Sequence, residues 1–283
     1  MLPVIEAKPA DFTRPPQIRA DVTERWLVAF LQDELIARRN IRKAVVGLSG
    51  GVDSAVTAFL CARALGPENV HAIRMPYKTS SASSLTDARL VVESLGIHEH
   101  TIDISAAVDG YMQYESGADA RRRGNVMARI RMVALFDQSA KYDALPIGTG
   151  NKTERLLGYF TWHADDTPPV NPIGDLYKTQ VWELARHLGV PQPLIEKAPS
   201  ADLEANQTDE ADLGITYAKA DAILSRMLEG YSNEQLVERG FAPRDVELVR
   251  RRVDGTHWKR HLPTTAMLTN TAINEFYLRP VDY

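Results

Sequence analysis

A glycine-rich loop between an apolar strand and a helix constrains this chain more than any other feature. Residues 43–48, "KAVVGL", are short, apolar and rich in β-branched side chains, which predicts a buried strand. The loop follows in residues 47–56, "GLSGGVDSAV", and helical sequence then runs to Gly66, a predicted C-terminal cap. A turn of this kind exposes backbone N–H groups at the positive end of a helix dipole. The sequence therefore predicts an anion-binding turn at the carboxyl end of a core strand.

Strands and helices alternate over the first 150 residues. Further strands are predicted at 70–75, 98–104 and 144–148, with helices at 21–39, 84–95 and 119–141. This order indicates βαβ units and a parallel sheet flanked by helices, with the first strand in a central position. Beyond residue 150 helices dominate. They are predicted at 178–188, 209–228, 232–239 and 243–254.

We expect an α/β, Rossmann-like fold with a helical C-terminal extension. The chain has no internal repeat and no low-complexity linker, so a single domain is predicted over residues 1–283. Its nucleotide-binding core is expected at about 40–200, with the extension at about 201–265. Ligands of such sheets bind beyond the carboxyl ends of the strands, near a topological switch point.

Composition narrows the classes of partner. The chain is 44% hydrophobic and 25% charged, as expected of a globular protein, and its net charge of −4 disfavours a broad nucleic-acid surface. No stretch reaches the roughly 20 apolar residues that span a membrane. Cys61 is the single cysteine, which excludes an intrachain disulfide and fits a reducing compartment. Since residues 1–16 also lack the apolar run of a signal peptide, we expect a cytoplasmic protein.

The loop carries an aspartate where a Walker loop would carry a lysine. Gly50 and Gly51 allow an anion to approach the backbone, and Ser49 and Ser54 add hydroxyl donors. The carboxylate of Asp53 repels phosphate, but Mg²⁺ binds carboxylates and phosphate oxygens together. We therefore predict a cradle for the Mg²⁺-pyrophosphate of an ATP that is cleaved between its α- and β-phosphates. The alternative is an ordinary strand-to-helix turn in which Asp53 caps the helix.

The loop string S-G-G-x-D-S resembles the pyrophosphate loop of N-type ATP pyrophosphatases, whose fold is that of the adenine-nucleotide α-hydrolases. Further strings, taken in order, make the chain similar to ammonia-dependent NAD synthetases over most of residues 40–265. These strings are "MPYKTSS" (75–81), "GNVMARIRM" (124–132), "GTGNKTERLLGYFT" (148–161), "NPIGDLYKTQVWELARHLGVP" (171–191) and "KAPSADLEANQTDEADLG" (197–214).

The resemblance implies a ligase of NAD biosynthesis. Its small-molecule substrates would be ATP, deamido-NAD and ammonia. The nicotinate carboxylate would attack the α-phosphate of ATP, and ammonia would then displace AMP to give NAD. The family also implies Mg²⁺ as cofactor and a homodimer with substrate bound across its interface.

The resemblance also assigns the nucleotide site. Asp53 and Glu154 would hold Mg²⁺, and Lys178 would neutralise phosphate charge in the transition state. The expected ATP contacts are Gly47, Leu48, Ser49, Gly50, Gly51, Val52, Asp53, Ser54, Met75, Ser81, Thr149, Lys178 and Ser200. On spacing alone, a solvated glutamate at a helix start is the better interpretation of Glu154. Lys178 is then equally an ordinary helix-surface lysine, and the alternative for Ser200 is a local turn bond.

For the acceptor, Arg129 matches the family's deamido-NAD arginine and Asp165 its loop aspartate near the amide-forming centre. Asp53, Asp165 and Lys178 are the predicted catalytic residues. The family's usual substrate lysine and histidine are replaced by Trp162 and Trp258, and Pro169 stands where an aspartate is usual, while Lys259 is retained. Both tryptophans are expected to contact deamido-NAD by stacking, unless they only pack the loop. Arg129 could equally lie on one face of an amphipathic helix with Arg131 and Met132.

Two other functions remain open from the sequence. One is a relative that amidates or thiolates a different acceptor, although thiolating members generally need reactive cysteines and this chain has Cys61 alone. The other is a non-catalytic adenine-nucleotide sensor. Retention of both Asp53 and Glu154 argues against a sensor, because binding alone needs less magnesium chemistry.

Overall fold

The computed structural model describes residues 11–115, 117–200 and 208–261, together with 266 and 268. Within these residues the α-helices are α1 (Ala20–Gln32), α2 (Val52–Leu65), α3 (Ala82–Leu95), α4 (Ser105–Met112), α5 (Ala120–Tyr142), α6 (Lys152–Leu157), α7 (Lys178–Leu188), α8 (Gln192–Glu196), α9 (Asp209–Leu213), α10 (Tyr217–Leu228), α11 (Asn233–Glu238) and α12 (Pro243–Gly255). The strands are β1 (Ala44–Gly47), β2 (Val70–Arg74), β3 (His98–Thr101) and β4 (Leu145–Ile147).

The four strands form one parallel sheet in the order β3-β2-β1-β4. The chain builds the sheet outward from β1 to β3 and then returns to add β4 on the other side of β1. The order therefore reverses between β1 and β4, which makes the carboxyl end of β1 a topological switch point. The predicted α/β fold, the parallel sheet and the central position of the first strand are all confirmed. The glycine loop follows β1, so it lies at this switch point.

The two largest of the four hydrophobic clusters among the described residues together join the sheet to the helices. The first joins β1, α2 and α7 through side chains such as Val46, Leu60 and Val181, all of them fully buried. The second is built by α10, α11 and α12 around Tyr217 and Leu236, and it includes Leu157 of α6. Trp182 of α7 packs against both clusters. Helix α7 thus joins the sheet to the helical extension.

The structure corrects several predicted boundaries. The first helix does not run as an α-helix to residue 39, because it passes into a π-helical turn at Asp33–Ala37. The predicted helix at 209–228 is two helices, since Gly214 adopts a left-handed conformation that ends α9 and Thr216 caps α10. Helices α4, α6 and α8 were missed as helices. Each spans eight residues or fewer, too short for a clear 3.6-residue period.

The sequence also predicts that no segment spans a membrane, and the helices can be compared with that prediction. Among the described residues, no helix combines the length and apolar character needed to cross a bilayer. The prediction that no signal peptide is present concerns the N-terminus, and residues 1–10 lie outside the described residues. The last part of the predicted extension, at 262–265, also lies outside them, as do residues 201–207.

Candidate active site

The glycine loop is held tightly between β1 and the start of α3. The backbone N–H of Leu48 donates to Ile73 O at 2.9 Å, which continues the pairing of β1 with β2. Gly50 has φ = +81°, and a Cβ at this position would lie 2.3 Å from the carbonyl oxygen of Ser84. Both the left-handed backbone and the close contact require glycine here. At Gly50 the loop therefore presents its backbone without a side chain.

The two predicted serine donors lie on the inner side of the loop. Ser54 Oγ donates to Gly51 O at 3.0 Å and lies 3.2 Å from Ser49 Oγ. Ser49 Oγ in turn accepts the Gly51 N–H at 3.2 Å. These bonds fix the loop's shape, and they keep both hydroxyls close to the backbone amides that an anion would contact.

Asp53, Glu154 and Lys178 meet beside this loop. Asp53 lies in the first turn of α2, and its carboxylate forms an ion pair with the ammonium group of Lys178, the first residue of α7. Glu154 Oε1 lies 3.7 Å from the same ammonium nitrogen. Three elements far apart in sequence thus bring two carboxylates to one cationic group.

Asn151 fixes the relative position of the two carboxylates. It is the N-cap of α6 in a capping box with Glu154, whose side chain accepts the Asn151 N–H at 3.2 Å. The side-chain amide of Asn151 also donates to Asp53 Oδ1 at 2.9 Å. The sequence reasoning missed this residue, although the N-x-x-E pattern of "NKTE" is a recognisable capping signal.

The protonation states follow from burial and from this pairing. Burial raises the pKa of Glu154 above its ordinary value, and the neighbouring Asp53 carboxylate adds to that rise against the lowering influence of Lys178. Burial alone would lower the pKa of Lys178, but Asp53 and Glu154 more than offset it, and that pKa lies above its ordinary value. Lys178 therefore stays charged although its side chain is only 3% exposed.

A second layer of polar groups supports Lys178 from behind. Tyr217, fully buried, places its ring 5.3 Å from the Lys178 ammonium and donates its hydroxyl to Asp209 Oδ2 at 2.9 Å. The hydroxyl of Tyr159 donates to the other oxygen of Asp209 at 3.2 Å. Burial raises the pKa of Asp209. None of these three residues was predicted from the sequence, because each acts through a contact with another chain segment.

Asp221 ties three helices together at the same place. Its two carboxylate oxygens accept the Thr153 hydroxyl of α6 and the Thr179 N–H of α7. Thr153 Oγ1 also accepts the Lys178 N–H at 2.9 Å. Asp221 is completely buried in α10, so the start of α7 is held by the helical extension.

The remaining predicted ATP residues lie in separate segments of the chain. Met75 lies against Gly47, and Ser81 caps α3 by accepting the Ser84 N–H at 3.1 Å. Thr149 is half-buried in the turn after β4, next to the carboxyl end of β1. Ser200 is exposed and precedes the undescribed residues 201–207. Its segment is tied to α3 by Lys197, which donates to Ser84 Oγ and Asp87 Oδ2.

The predicted acceptor-binding residues cluster around a second loop, at 158–166. Arg129 is exposed on α5 and donates to the Trp162 carbonyl at 2.9 Å, and Trp162 meets Trp258 edge to face with ring centres 5.1 Å apart. The ammonium of Lys259 donates to Gly158 O and Phe160 O, each at 2.8 Å. Within the same loop, the Asp165 carboxylate accepts the Thr161 N–H at 2.7 Å.

These contacts leave both sequence-based alternatives open. The two tryptophans and Lys259 pack and tie the loop, and they also border the surface on which Arg129 lies. The structure brings these predicted residues together, but as a group around the second loop rather than within the Asp53–Lys178 cluster.

The arrangement has the chemistry of a polyphosphate site. Backbone amides and hydroxyls of the glycine loop can bind anionic oxygens, and Asp53 with Glu154 can hold a cation beside them. Among the described side chains, no group of three or more His, Cys, Asp or Glu is arranged to hold a metal ion on protein ligands alone. A metal at this site would therefore be bound by Asp53 and Glu154 together with oxygens of the ligand.

Known proteins with similar sequences and structures fall in one family. The family model described as NAD synthase matches residues 24–263. The NH(3)-dependent NAD(+) synthetase of Trichlorobacter lovleyi is 50% identical, over 94% of this chain and 97% of its own length.

Two solved structures have the same fold. The structure of NMN synthetase from Francisella tularensis matches with a TM-score of 0.79 and 32% identity, covering 88% of this chain and 99% of that one. The NH3-dependent NAD synthetase from Campylobacter jejuni, in complex with the nitrate ion, matches with a TM-score of 0.76 and 31% identity, covering 88% and 100%.

Proposed function

Because the chain belongs to the NAD synthase family, we propose that it uses ATP to join ammonia to the nicotinate carboxylate of deamido-NAD, which makes it a carbon–nitrogen ligase of NAD biosynthesis. The observation that carries this proposal is the meeting of Asp53, Glu154 and Lys178 beside a glycine loop at the sheet's switch point. A plain structural turn needs none of these buried charges.

The reaction requires an activated acyl group, because a carboxylate has no good leaving group at neutral pH. A carboxylate oxygen attacks the α-phosphorus of ATP, the bond from that phosphorus to the bridging oxygen breaks, and pyrophosphate leaves. Ammonia then attacks the carbonyl carbon, the bond to the adenylate oxygen breaks, and AMP leaves with its electron pair. The ammonia nitrogen loses its surplus proton to solvent or a nearby base, and the amide of NAD is formed.

The chain's own residues supply positioning and charge for this chemistry. In the proposal, the amides and hydroxyls from Gly47 to Ser54 bind the β- and γ-phosphates, and Lys178 offsets charge that develops on the departing pyrophosphate. A side chain at Gly50 would distort the loop that binds the phosphates, because its Cβ would lie 2.3 Å from the carbonyl oxygen of Ser84. Thr149, Met75, Ser81 and Ser200 are proposed to complete the nucleotide pocket.

Magnesium fits the donor set at this site. The carboxylates of Asp53 and Glu154 both reach the ammonium of Lys178, so they converge on one position suited to a cation. Mg²⁺ typically takes one or two carboxylates together with substrate phosphates. Bound there, it would neutralise phosphate charge and orient the pyrophosphate.

The acceptor is proposed to lie along the 158–166 loop. Arg129 would pair with its phosphates, Trp162 and Trp258 would contact its rings, and Lys259 would act through the loop carbonyls that it holds. Asp165 would orient ammonia near the acyl carbon. A second candidate acceptor is the deamidated mononucleotide, which the similarity to the Francisella NMN synthetase favours.

We further propose a cytoplasmic homodimer that folds as one unit. Exposed apolar side chains on α4, α5 and the turn after α4 support a subunit interface. They are Tyr111, Tyr114, Val133 and Phe136, exposed by 52%, 85%, 67% and 41%. The buried thiol of Cys61, whose pKa burial raises to about 12, suits a reducing compartment and argues against thiolation chemistry.

One assay tests the function and separates the acceptors. The protein is incubated with ATP, Mg²⁺ and ammonium plus either deamido-NAD or the deamidated mononucleotide, and AMP and the amidated product are followed. A higher kcat/KM with deamido-NAD supports the main proposal, and a higher value with the mononucleotide supports the second. Nucleotide binding without AMP from either acceptor would overturn both and favour a sensor.

A further inference from the structure

The ammonium group of Lys178 lies between the carboxylates of Asp53 and Glu154, the two proposed metal ligands. It is ion-paired with Asp53 Oδ2 and is 3.7 Å from Glu154 Oε1. The other oxygens of these carboxylates are turned toward Asn151, which donates to Asp53 Oδ1 and Glu154 Oε2. The two oxygens that face Lys178 are therefore the ones that Asn151 does not bind.

Lys178 is held in this position by its surroundings. Its backbone N–H is bound by Thr153, and the fully buried Tyr217 lies against its ammonium. The side chain is 3% exposed, so water contributes little to the solvation of its charge, and the carboxylates stabilise that charge instead. An ammonium in this pocket needs an anionic partner, because an unpaired buried charge is very costly.

Two cations at these oxygens repel each other. A divalent ion placed between Asp53 and Glu154 would be within a few ångströms of the ammonium, and their repulsion is poorly screened at a largely buried position. Metal binding is therefore favoured when the Lys178 ammonium turns to another anion. A phosphate group on the adjacent glycine loop is such an anion.

We propose that Lys178 excludes free divalent metal from Asp53 and Glu154, so that the metal enters only with a nucleotide whose phosphate takes over the ammonium. Lys178 is then an exchangeable occupant of the metal position as well as a phosphate ligand. This inference rests on the proposed function, since it requires the glycine loop to bind a polyphosphate.

Binding of Mn²⁺ alone, followed by electron paramagnetic resonance, tests the exclusion without any turnover. Removing the charge in Lys178→Met should tighten Mn²⁺ binding at least ~10-fold relative to the wild type, a change of about 1.4 kcal/mol. Lys219→Met, which removes a surface lysine paired with Asp245, should leave Mn²⁺ affinity unchanged. The tightened binding should disappear in Lys178→Met combined with Asp53→Asn.

The wild type provides a second measurement that does not depend on the folding of Lys178→Met. Without nucleotide, it should bind Mn²⁺ no more tightly than Asp53→Asn does. Wild-type binding ~10-fold tighter than that of Asp53→Asn would overturn the exclusion, as would equal Mn²⁺ affinity in wild type and Lys178→Met. Since these titrations contain no acceptor, failure to form AMP in the activity assay would count against the proposed function only.

Discussion

Single residues at this site serve two neighbours at once. Asn151 caps α6 through Glu154 and also holds Asp53 of α2, while Lys178 begins α7 and pairs with both carboxylates. The Asn151–Glu154 contact is a local capping box, whereas the contacts of Asp53 with Asn151 and Lys178 join separate helices, so the fold sets the position of the Asp53 charge. Small changes here should therefore alter activity more than stability.

The strictest steric requirement within the glycine loop is at Gly50. Gly50→Ala should raise the KM for ATP at least ~10-fold or abolish activity, because the new Cβ meets the Ser84 carbonyl at 2.3 Å and the backbone is left-handed. Gly96→Ala is the matched control. Gly96 is also left-handed, with φ = +66°, but a Cβ there has no atom within 4 Å. Equal kinetics in the two variants would contradict the argument.

The charge of Asp53 is expected to be essential for turnover. Asp53→Asn keeps the shape of the side chain but removes its negative charge, and AMP formation should fall at least ~10²-fold. Asp175→Asn, whose side chain is 94% exposed, serves as the control and should retain wild-type rates. Near-wild-type activity of Asp53→Asn would remove its proposed metal role.

The sequence predicted the three charged residues beside the glycine loop better than it predicted the buried residues that hold them in place. Asp53, Glu154 and Lys178 stand in strings that resemble a known family, and the structure brings all three together. Asp209 and Asp221 carry no local signal, since their partners Tyr217, Thr153 and Thr179 depend on how α10 packs on α6 and α7. Only the folded chain reveals such residues.

Among the elements, α7 depends on a buried carboxylate from α10. Asp221→Ala would leave the Thr179 N–H and the Thr153 hydroxyl without their acceptor, and the free energy of unfolding should fall by about 2–4 kcal/mol. Urea denaturation measures this loss. Asp175→Ala, on the exposed surface, should change stability by less than about 0.5 kcal/mol. A similar small loss for Asp221→Ala would show that other contacts hold α7.

Strands β2 and β3 carry an acid-sensitive stack at their amino-terminal ends. His71 stacks on Tyr142 at 4.2 Å, lies 4.8 Å from the His98 ring, and has Nδ1 3.2 Å from His100 Nε2. Burial, followed by the nearby charges of His98, His100 and Lys43, lowers the pKa of His71 from 6.5 to about 4. Between these values the unfolded chain binds more protons at this residue than the folded chain does.

Stability should therefore fall as the pH is lowered through this window. Loss of the His71 contribution between pH 7 and 5 should amount to about 1–2 kcal/mol. His71→Phe keeps a ring against Tyr142 but cannot be protonated. Between pH 7 and 5, the unfolding free energy of this variant should therefore fall by about 1–2 kcal/mol less than that of the wild type. Urea denaturation at the two pH values compares them, and equal losses would exclude His71 as the cause.

The elements themselves were predicted unevenly for physical reasons. Strands β1, β2 and β4 lie in short apolar runs that are followed by glycine, proline or serine, whereas β3 reads His-Glu-His-Thr and has no apolar run. The third strand ends earlier than predicted, since Pro76 lacks an N–H and β2 stops at Arg74. The split of the helix predicted at 209–228 was missed because Gly214 interrupts an otherwise helical pattern without breaking its hydrophobic period.

At the scale of the whole molecule, the proposed dimer is the main prediction. Val133→Asp combined with Phe136→Asp places two charges on the exposed face of α5, and the protein should sediment at half the mass of the wild type. Trp26→Asp, on the 73% exposed position of α1, should leave the mass unchanged. A wild type that already sediments as a monomer would contradict the proposal.

Trp182, which packs against both hydrophobic clusters, lies one turn after Lys178. The helix that begins with Lys178 therefore lies between the sheet and the helical extension. A chain cut at residue 200 would expose Tyr177 and Trp182 to water and loosen the packing that positions Lys178. Any transplant of the glycine loop with its Lys178 partner into another scaffold would have to carry residues 208–261 with it.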